Sequence, residues 1–289
     1  MKHNNVVFVF DGKYIGQFKV TCYSLLYNNS HTSFNIHILY SGLTDDEILD
    51  ITDFITKYGS VPFFYKTDIS MFAGLPKMPN DDSYSTYKKL LIPELLKISD
   101  KVLYLDCDII VNGEISELFN NESPTFLSAA KDIRVNLKRK EHVKEITGNK
   151  KNVYFNAGVM LFDLAKSNGK VSKDKACTYM VENAQKLRFH DQDMFNHFYS
   201  DNYTMLDGKY NYMTTFSSVK DIFCSRNKKN AVILHYANWK PWNENYIGKF
   251  YGVYKKYYKM CSKEKNVNFM KKRKFSAQLK LIFSYLRRR

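Results

Sequence analysis

The segment "KVLYLDCDIIV", Lys101 to Val111, places two acidic residues inside an apolar run. Its flanks predict a strand buried on both faces, as in a parallel sheet covered by helices. Asp106 and Asp108 are separated by one residue, so in an extended chain their carboxylates point the same way and repel one another. A divalent cation with oxygen ligands would offset this repulsion. Solvation of a strand end, or pairing with Lys101, is the alternative without a metal.

The segments that precede this one alternate between strand and helix patterns. "NVVFVFD" (Asn5–Asp11), "NIHILYSG" (Asn35–Gly42) and "VPFFYKTD" (Val61–Asp68) predict strands. A helix-like stretch to about Tyr27 fills the first gap, and the capping box Thr44–Glu47 opens a helix in the second. This alternation predicts an α/β fold, a single domain with a mainly parallel central sheet and helices on both faces.

The composition is typical of one large folded domain. Of the 289 residues, 44% are hydrophobic and 16% are aromatic, which is enough for a sizeable core. The five cysteines are scattered without a C-x-x-C pair, which predicts reduced thiols and a cytoplasmic location. We expect neither a signal peptide nor a membrane-spanning helix, because no apolar run is long enough for either.

The positive charge is concentrated at the carboxyl end of the sequence. The net charge is +15, but residues 255–289 hold 13 Lys and Arg and one acid, so the first 254 residues carry only +3. A nucleic-acid-binding domain would show its basic face on the fold itself, so we expect no nucleic-acid partner. We predict one domain over residues 1–254 and an appended tail over residues 255–289.

The tail sequence predicts an amphipathic helix between basic clusters. In "FSAQLKLIFSYLRRR" the apolar residues at helical spacing are Phe275, Leu279, Ile282, Phe283 and Leu286. Four basic residues at 271–274 precede this apolar face and three arginines at 287–289 follow it. The pattern favours a helix on an anionic membrane surface, although a helix docked on the domain would share it. We therefore expect peripheral association with the inner face of the cytoplasmic membrane.

Two further segments carry polar or small residues at predicted strand ends. "VFVFDGKY" includes Val9 and puts Asp11 and Tyr14 after the first strand, where open parallel sheets bind ligands. A carboxylate there accepts hydrogen bonds from a base or a ribose, and a tyrosine ring stacks on a base. "YFNAGVMLFDL" sets Asn156 and Ala157 ahead of a glycine, where small residues either let a ligand approach the backbone or form a packing bulge.

The segments "FHDQDMFN" and "VILHYANWKPWN" complete the candidate site. The first places Asp191 and Gln192 at the start of a predicted helix, which an acid there could simply cap. The second ends a strand with His235, which can supply a nitrogen ligand to a cation held by the two aspartates. Lys240 follows as a point charge suited to a diphosphate. A buried structural histidine is the alternative interpretation of His235.

Taken in order, these motifs resemble glycosyltransferase family 8, whose members have the GT-A fold. The family includes bacterial galactosyltransferases and glucosyltransferases that extend lipooligosaccharide or lipopolysaccharide cores. The resemblance covers most of the first 245 residues. Asp106-Cys107-Asp108 matches the family's D-x-D, "FNAG" its asparagine-alanine-glycine segment, "DQD" its sugar-binding acid and glutamine, and "HY…KPW" its C-terminal signature. Asp11 with Tyr14 matches its nucleotide-binding start.

The resemblance implies a metal-dependent retaining hexosyltransferase that moves galactose or glucose from a UDP-hexose to an oligosaccharide or lipid-linked glycan. It implies Mn²⁺, with Mg²⁺ as the alternative, held by Asp106, Asp108 and His235. The implied nucleotide and phosphate contacts are Val9, Asp11, Tyr14, Asp106 and Lys240. The implied donor-sugar contacts are Lys89, Asn156, Ala157, Asp191 and Gln192. Gln192 and Asp191 are the implied catalytic positions, and we expect same-face attack because an amide is a poor nucleophile.

The sequence departs from the family pattern at two places. "HYANWKPW" is one residue shorter than the family's H-x-x-G-x-x-K-P-W and lacks its glycine, which Asn238 can partly replace by tolerating left-handed backbone geometry. Lys89 stands where the family often has an arginine, so the contacts to the sugar can differ.

Three alternatives to this function remain open at the level of the sequence. A glycosylated protein is an alternative acceptor. A nucleotidyltransferase also uses paired aspartates, but it would carry a glycine-rich phosphate loop, which "FDGKYIGQF" is not. A non-enzymatic basic adaptor at a membrane surface would explain the tail and leave the acidic residues without a use.

Overall fold

A computed structural model describes residues 3–76, 84–98, 100–120, 122–148, 153–166, 170–214, 230–265 and 267–280. Over this part of the chain it shows a seven-stranded sheet and a three-stranded sheet. The strands are β1 (Asn4–Asp11), β2 (Phe34–Ser41), β3 (Val61–Lys66), β4 (Lys101–Leu105), β5 (Ile109–Val111), β6 (Leu127–Lys131), β7 (Phe155–Asp163), β8 (Tyr203–Leu206), β9 (Tyr212–Met213) and β10 (Ile233–His235). The helices are α1 (Ile15–Asn28), α2 (Asp45–Thr56), α3 (Ile92–Leu95), α4 (Ser116–Asn120), α5 (Ile133–Lys138), α6 (Lys140–Thr147), α7 (Lys173–Glu182), α8 (Asp191–Tyr199) and α9 (Tyr251–Lys265).

The large sheet has the strand order β3-β2-β1-β4-β7-β6-β8. The first four of these strands are parallel, β7 is antiparallel to both of its neighbours, and β8 is parallel to β6. The predicted α/β class with a mainly parallel sheet is therefore confirmed. Strand β2 lies on one side of β1 and β4 lies on the other, so the strand order reverses between β1 and β4. Ligands of open α/β sheets bind beyond the carboxyl ends of the strands at such a point, which makes this crevice the expected ligand site.

Helix α2 begins where the sequence predicts it. The hydroxyl of Thr44 accepts a hydrogen bond from the backbone N–H of Glu47 at 3.2 Å, and the carboxylate of Glu47 accepts one from the N–H of Thr44 at 2.9 Å. This reciprocal pair satisfies two backbone donors that a helix start otherwise leaves open. The following turn leads into β3, which fixes the sheet edge furthest from the candidate site.

Strand β1 shows why the strands are continuously apolar. Val6 and Phe8 belong to an apolar cluster on one face of the sheet, and Val7 and Val9 belong to a cluster on the other. A parallel sheet covered on both faces buries successive side chains on alternate sides, which favours apolar residues at consecutive positions.

His37 on β2 is a polar exception within this buried sheet, with 3% of its surface exposed. Its Nδ1 lies 3.0 Å from the hydroxyl of Tyr65, and its Nε2 lies 3.3 Å from Oδ1 of Asn5. Burial lowers the pKa of His37 to about 4, because the charged imidazolium would lose its water. The neutral ring is therefore the form that the fold stabilises.

The segment Lys101–Val111 forms two strands and not the continuous strand that the sequence predicts. Strand β4 lies in the large sheet, and β5 pairs with β10 in the small one. The turn between them is held at both ends, since the N–H of Asp106 donates to the carbonyl of Gly158 and the carbonyl of Asp108 accepts from the N–H of Tyr236, each at 2.9 Å. The two carboxylates converge because this turn is tied to both sheets.

Helix α9 crosses the predicted boundary between residues 254 and 255. Tyr254, Tyr257 and Cys261 are at most 2% exposed and belong to the same apolar cluster as α1. The residues after 254 therefore begin as part of the packed domain, because an aromatic stripe at helical spacing buries one face of a helix whose other face is basic.

The remaining tail is described only as far as residue 280, with helical structure over residues 275–280. Ile282, Phe283 and Leu286, together with the arginines at 287–289, lie outside the described residues. In the part of the chain that the structure covers, no helix is both long and apolar enough to cross a membrane.

Candidate active site

A cavity of about 540 Å³ opens beyond the carboxyl end of β4. This is the edge of the sheet at which open parallel sheets bind their ligands. Nine of the twelve residues that the sequence predicts for the site line this cavity: Lys89, Asp106, Asp108, Asn156, Ala157, Asp191, Gln192, His235 and Lys240. Five separate segments of the sequence therefore meet at one place.

Asp106, Asp108 and His235 form a compact group with one ligand atom each. These three atoms lie within 4.8 Å of one another. Nε2 of His235 is 3.3 Å from a carboxylate oxygen of Asp108 and 3.7 Å from one of Asp106. Two carboxylates and an imidazole nitrogen at this spacing fit a divalent cation, and the mixed oxygen and nitrogen set suits Mn²⁺ better than Mg²⁺.

Asn211, which the sequence did not predict, fixes the tautomer of His235. The backbone N–H of Gly158 donates to Oδ1 of Asn156 at 3.0 Å, so the side-chain nitrogen of Asn211 must be the donor to that same oxygen, at 2.9 Å. Oδ1 of Asn211 then faces Nδ1 of His235 at 2.9 Å and can only accept. His235 therefore carries its proton on Nδ1, and the lone pair of Nε2 points to the two aspartates.

A glycine is needed at position 158 because the side chains of His235 and Asp106 occupy the space that a Cβ would fill. A Cβ at this position would lie 2.3 Å from Cε1 of His235 and 2.7 Å from Oδ2 of Asp106. Both distances are far below ordinary contact. The close approach of two side chains therefore explains the glycine of "FNAG". The pairing of β7 with β6 is also irregular at this segment, because the register shifts between Ala129 and Lys131.

A buried lysine, Lys89, and a half-buried one, Lys240, compensate the acids of the site. Nζ of Lys89 lies 2.8 Å from Asp191 and 3.2 Å from Asp106, and Nζ of Lys240 contacts Asp108. Burial alone would lower the pKa of Lys89, but the two carboxylates outweigh it and raise the pKa above its usual range. Burial would likewise raise the pKa of Asp108, yet the ammonium charge of Lys240, with His235 beside it, holds this pKa well below its usual range.

Gln192 is held in place by a second group of polar side chains. Its Nε2 donates to Oδ2 of Asp132 at 3.1 Å, and its Oε1 accepts from Asn156 at 2.9 Å and from the backbone N–H of Ala157 at 3.1 Å. The sequence reasoning missed Asp132, although "SAAKD" ends a strand with an acid in the same way as the first strand does. With both ends of its amide occupied, Gln192 presents a fixed dipole to the cavity.

The two acids of "DQD" have different roles. Asp193 is fully buried and accepts from the backbone N–H groups of Arg188 and Phe189 at 2.7 and 2.8 Å. Its other oxygen accepts from the hydroxyl of Tyr154 at 2.5 Å and lies 2.8 Å from Nε2 of His142. Asp193 therefore fixes the loop before α8, whereas Asp191 lines the cavity.

The residues predicted for uridine lie outside the residues that line the cavity. Asp11 accepts from the N–H of Lys13 at 3.0 Å and lies 3.2 Å from the hydroxyl of Ser85. Tyr14 is 42% exposed, and its ring lies edge-on to that of Trp242 at 6.5 Å between centroids. Val9 is 9% exposed within the sheet. An exposed aromatic ring at this edge is available for stacking, and the nucleotide role of these three residues stays a prediction.

Asn238 takes the place that the sequence assigned to it. Its φ is +74°, in the left-handed region, and the residue lines the cavity close to Lys240. An asparagine tolerates this conformation better than most residues other than glycine. The shortened "HYANWKPW" segment thus keeps a left-handed residue beside the lysine.

The match to a family model identifies the family. Residues 5–246 match the model described as glycosyl transferase family 8. The chain belongs to this family. The matched range includes every residue of the cavity, and it agrees with the resemblance inferred from the motifs.

Relatives and solved structures agree with this assignment. The chain is 26% identical over 237 residues to a putative glycosyltransferase of Haemophilus influenzae, which covers 81% of the chain and 71% of the relative. It is 28% identical over 262 residues to a lipopolysaccharide 1,2-glucosyltransferase of Escherichia coli, with 86% and 76% covered. Glycosyltransferase GlyF of Streptococcus pneumoniae is 29% identical over 252 residues, or 85% of the chain, but the chain spans only 58% of that relative's length.

The fold matches that of a solved galactosyltransferase. LgtC, crystallised in complex with donor and acceptor sugar analogs, superposes with a TM-score of 0.74 at 23% identity. The match covers 89% of this chain and 95% of LgtC. The chain therefore has the GT-A fold that the motifs implied.

Proposed function

We propose that this chain is a metal-dependent retaining hexosyltransferase that moves galactose or glucose from a UDP-hexose to a cell-surface oligosaccharide or lipid-linked glycan. The observation that carries the proposal is the meeting of two groups in one cavity: the Asp106–Asp108–His235 triad and the polar network around Gln192. The Escherichia coli relative, a glucosyltransferase, and LgtC, a galactosyltransferase, support glucose or galactose as the sugar.

Asp106, Asp108 and Nε2 of His235 would hold Mn²⁺, with Mg²⁺ as the weaker candidate because of the nitrogen ligand. When bound, the cation would neutralise negative charge on the diphosphate and so stabilise UDP as the leaving group. Asn211 supports this role, because it keeps the proton of His235 on the nitrogen that faces away from the aspartates.

Lys240 and Lys89 act on the two ends of the donor. Lys240 lies next to Asp108 and can transfer its contact to a phosphate oxygen, as a flexible point charge does. Lys89 holds the carboxylate of Asp191 at the cavity wall, where the free oxygen can accept hydrogen bonds from sugar hydroxyls.

Retention of the anomeric configuration follows from same-face attack. Asp191 is paired with Lys89, and Asp132 already accepts hydrogen bonds from Gln192, Asn156 and the N–H of Val135. Neither carboxylate is therefore a ready covalent nucleophile. The acceptor hydroxyl forms the new bond to the anomeric carbon as the bond to UDP breaks, and its proton passes to a departing phosphate oxygen. The dipole of Gln192 stabilises positive charge on the sugar ring.

Hydrolysis of the donor tests this function without knowledge of the acceptor. The purified protein is incubated with Mn²⁺ and a panel of UDP-sugars, and release of UDP is measured. We expect release from UDP-galactose or UDP-glucose that is lost with EDTA and in Asp108→Ala, and kept in Asp53→Ala, which removes an exposed acid elsewhere. No turnover and no Mn²⁺-dependent UDP binding by the unaltered protein would refute the proposal.

We also propose that the carboxyl-terminal segment binds an anionic membrane surface from the cytoplasmic side. Phe275 is 74% exposed and Leu279 is 36% exposed, and the preceding basic residues 271–273 are exposed as well. Exposed apolar groups beside cations suit an interface of acidic lipids. Co-sedimentation with phosphatidylglycerol vesicles, reduced in Phe275→Asp and absent with phosphatidylcholine, is the expected result. Equal binding to both lipids would contradict an electrostatic association.

A further inference from the structure

Four basic side chains line the same cavity in addition to Lys89 and Lys240. Arg134 and Lys138 lie on α5, Arg139 lies at the junction of α5 and α6, and Arg188 lies in the loop before α8. We call the three arginines, Arg134, Arg139 and Arg188, the basic cluster. Arg139 and Arg188 are exposed and Arg134 is half-buried, so a ligand in the cavity can reach them.

The acids that line the same cavity do not neutralise the basic cluster. Asp106 and Asp191 pair with Lys89, and Asp108 pairs with Lys240. The carboxylate of Asp132 accepts from two side-chain amides and a backbone N–H. Within the described ranges, the guanidinium groups of Arg134, Arg139 and Arg188 form no ion pair and no hydrogen bond.

The basic cluster is close in sequence to residues that the proposed function assigns to the donor sugar. Arg134 follows Asp132, which holds the amide of Gln192, by two residues, and Arg188 precedes Asp191 by three. In the proposed function the diphosphate of the donor has other partners, Lys240 and the metal triad. Because the hexose of the donor is neutral, the donor leaves the basic cluster without an anion.

We propose that the basic cluster binds an anionic group of the acceptor, so that the acceptor is a glycan whose terminal sugars carry phosphate or carboxylate. This inference rests on the proposed hexosyl transfer and specifies its second substrate. A guanidinium group binds the two oxygens of either anion in a planar, bidentate arrangement, and several arginines around one pocket therefore select for negative charge. A neutral sugar would leave these cations without a partner.

Competition between neutral and anionic sugars tests the proposal. With Mn²⁺ and the UDP-hexose that the protein hydrolyses, glucose, galactose and mannose are compared as free sugars, as 6-phosphates and, for the first two, as uronic acids. Transfer product and suppression of hydrolysis are both measured. Charge-assisted hydrogen bonds predict that at least one anionic sugar acts at about tenfold lower concentration than its neutral parent. The preference falls as NaCl rises from 0.05 to 0.3 M, since the Debye length shortens from about 14 Å to about 6 Å.

Variants with matched controls assign the preference to the basic cluster. Arg134→Gln/Arg139→Gln and Arg188→Gln are expected to reduce the ratio of anionic to neutral activity. Lys140→Gln and Lys186→Gln remove exposed charges next to the basic cluster in sequence that do not line the cavity, and they keep the ratio. Using the ratio separates acceptor choice from any change in overall activity.

The outcomes distinguish this inference from the function on which it rests. Hydrolysis of the donor with no preference for any anionic sugar would overturn the acceptor inference and leave hexosyl transfer standing. A preference that survives in the arginine variants would overturn the assignment to the basic cluster. Weaker Mn²⁺-dependent binding of UDP in the same variants, with the preference unchanged, would assign the arginines to the donor diphosphate. Absence of all donor hydrolysis would count against the proposed function itself.

Discussion

The substitution Gly158→Ala tests the geometry of the metal ligands with a single methyl group. The new Cβ would lie 2.3 Å from Cε1 of His235 and 2.7 Å from Oδ2 of Asp106. Carbon atoms in contact are normally about 3.5–4.0 Å apart, so the imidazole ring must move by about 1 Å or more. The carbonyl of Gly158 accepts a hydrogen bond from the N–H of Asp106, and this bond opposes a shift of β7 away from the imidazole.

A displacement of this size exceeds what a metal site tolerates. Ligand distances hold to within about 0.2 Å, and a misplacement of about 1 Å in a catalytic group costs about 100-fold in rate. We therefore expect Gly158→Ala to lower Mn²⁺ affinity and donor hydrolysis by about 100-fold, or about 2.7 kcal/mol. Overpacking should also lower the free energy of unfolding by about 1–3 kcal/mol.

The assay combines Mn²⁺ binding by electron paramagnetic resonance, UDP release and urea denaturation. Gly113→Ala is the matched control, because its Cβ would meet Val232 at an ordinary 3.6 Å and should change none of the three. Gly158→Ala/His235→Ala removes the crowding ring and should recover stability without recovering Mn²⁺ affinity. Wild-type Mn²⁺ affinity and hydrolysis in Gly158→Ala would refute the assignment of His235 and Asp106 as ligands.

Three further predictions follow from individual contacts. Asn211→Ala removes the acceptor of His235 Nδ1–H, and Mn²⁺ affinity measured by titration should fall about 10–100-fold. Asp193→Ala leaves two backbone N–H groups and a tyrosine hydroxyl unpaired, so the free energy of unfolding measured by urea denaturation should fall by about 3–5 kcal/mol. An inactive variant of full stability would show instead that Asp193 is catalytic. The pKa of His37 is about 4 in the fold and about 6.5 in the unfolded chain. As the pH is lowered between these values, the unfolded chain takes up a proton that the fold does not, so the free energy of unfolding falls by up to about 3 kcal/mol. Urea titrations at pH 7 and 4.5 should show a smaller loss in His37→Gln.

The sequence was informative where the relevant chemistry is local. Asp106 and Asp108 interrupt an apolar run, and His235 ends another, so the usual rule that ligands bind beyond strand ends was enough to bring them together. The same rule applied to "SAAKD" would have identified Asp132. Asn211 gave no such signal, because it lies in a short helical turn 24 residues before His235 and acts only through a contact between side chains.

Net charge was a poor guide to the domain boundary. Residues 255–265 are rich in lysine, and the charge count assigned them to a tail. In the structure Tyr254, Tyr257 and Cys261 bury one face of α9 against the domain, while Lys255, Lys256, Lys259 and Lys263 are exposed. Tyr254, Tyr257 and Cys261 recur at spacings of three and four residues in the sequence. This helical pattern indicates a docked helix more reliably than the total charge does.

The repulsion between Asp106 and Asp108 has a more complete explanation than the sequence suggested. The sequence predicted a cation because the two carboxylates point the same way. In the structure each carboxylate already forms an ion pair with a lysine, Asp106 with Lys89 and Asp108 with Lys240. These partners lie 17 and 132 residues away and could not be read from the motif. The fold therefore does not depend on the metal for charge balance. Lys240 contacts one oxygen of Asp108 and His235 faces the other, so a cation held by Asp108 and His235 would compete with Lys240 for the charge of that carboxylate. A donor diphosphate would give this lysine a second partner. We therefore expect binding of the metal and binding of the nucleotide sugar to be linked through Lys240.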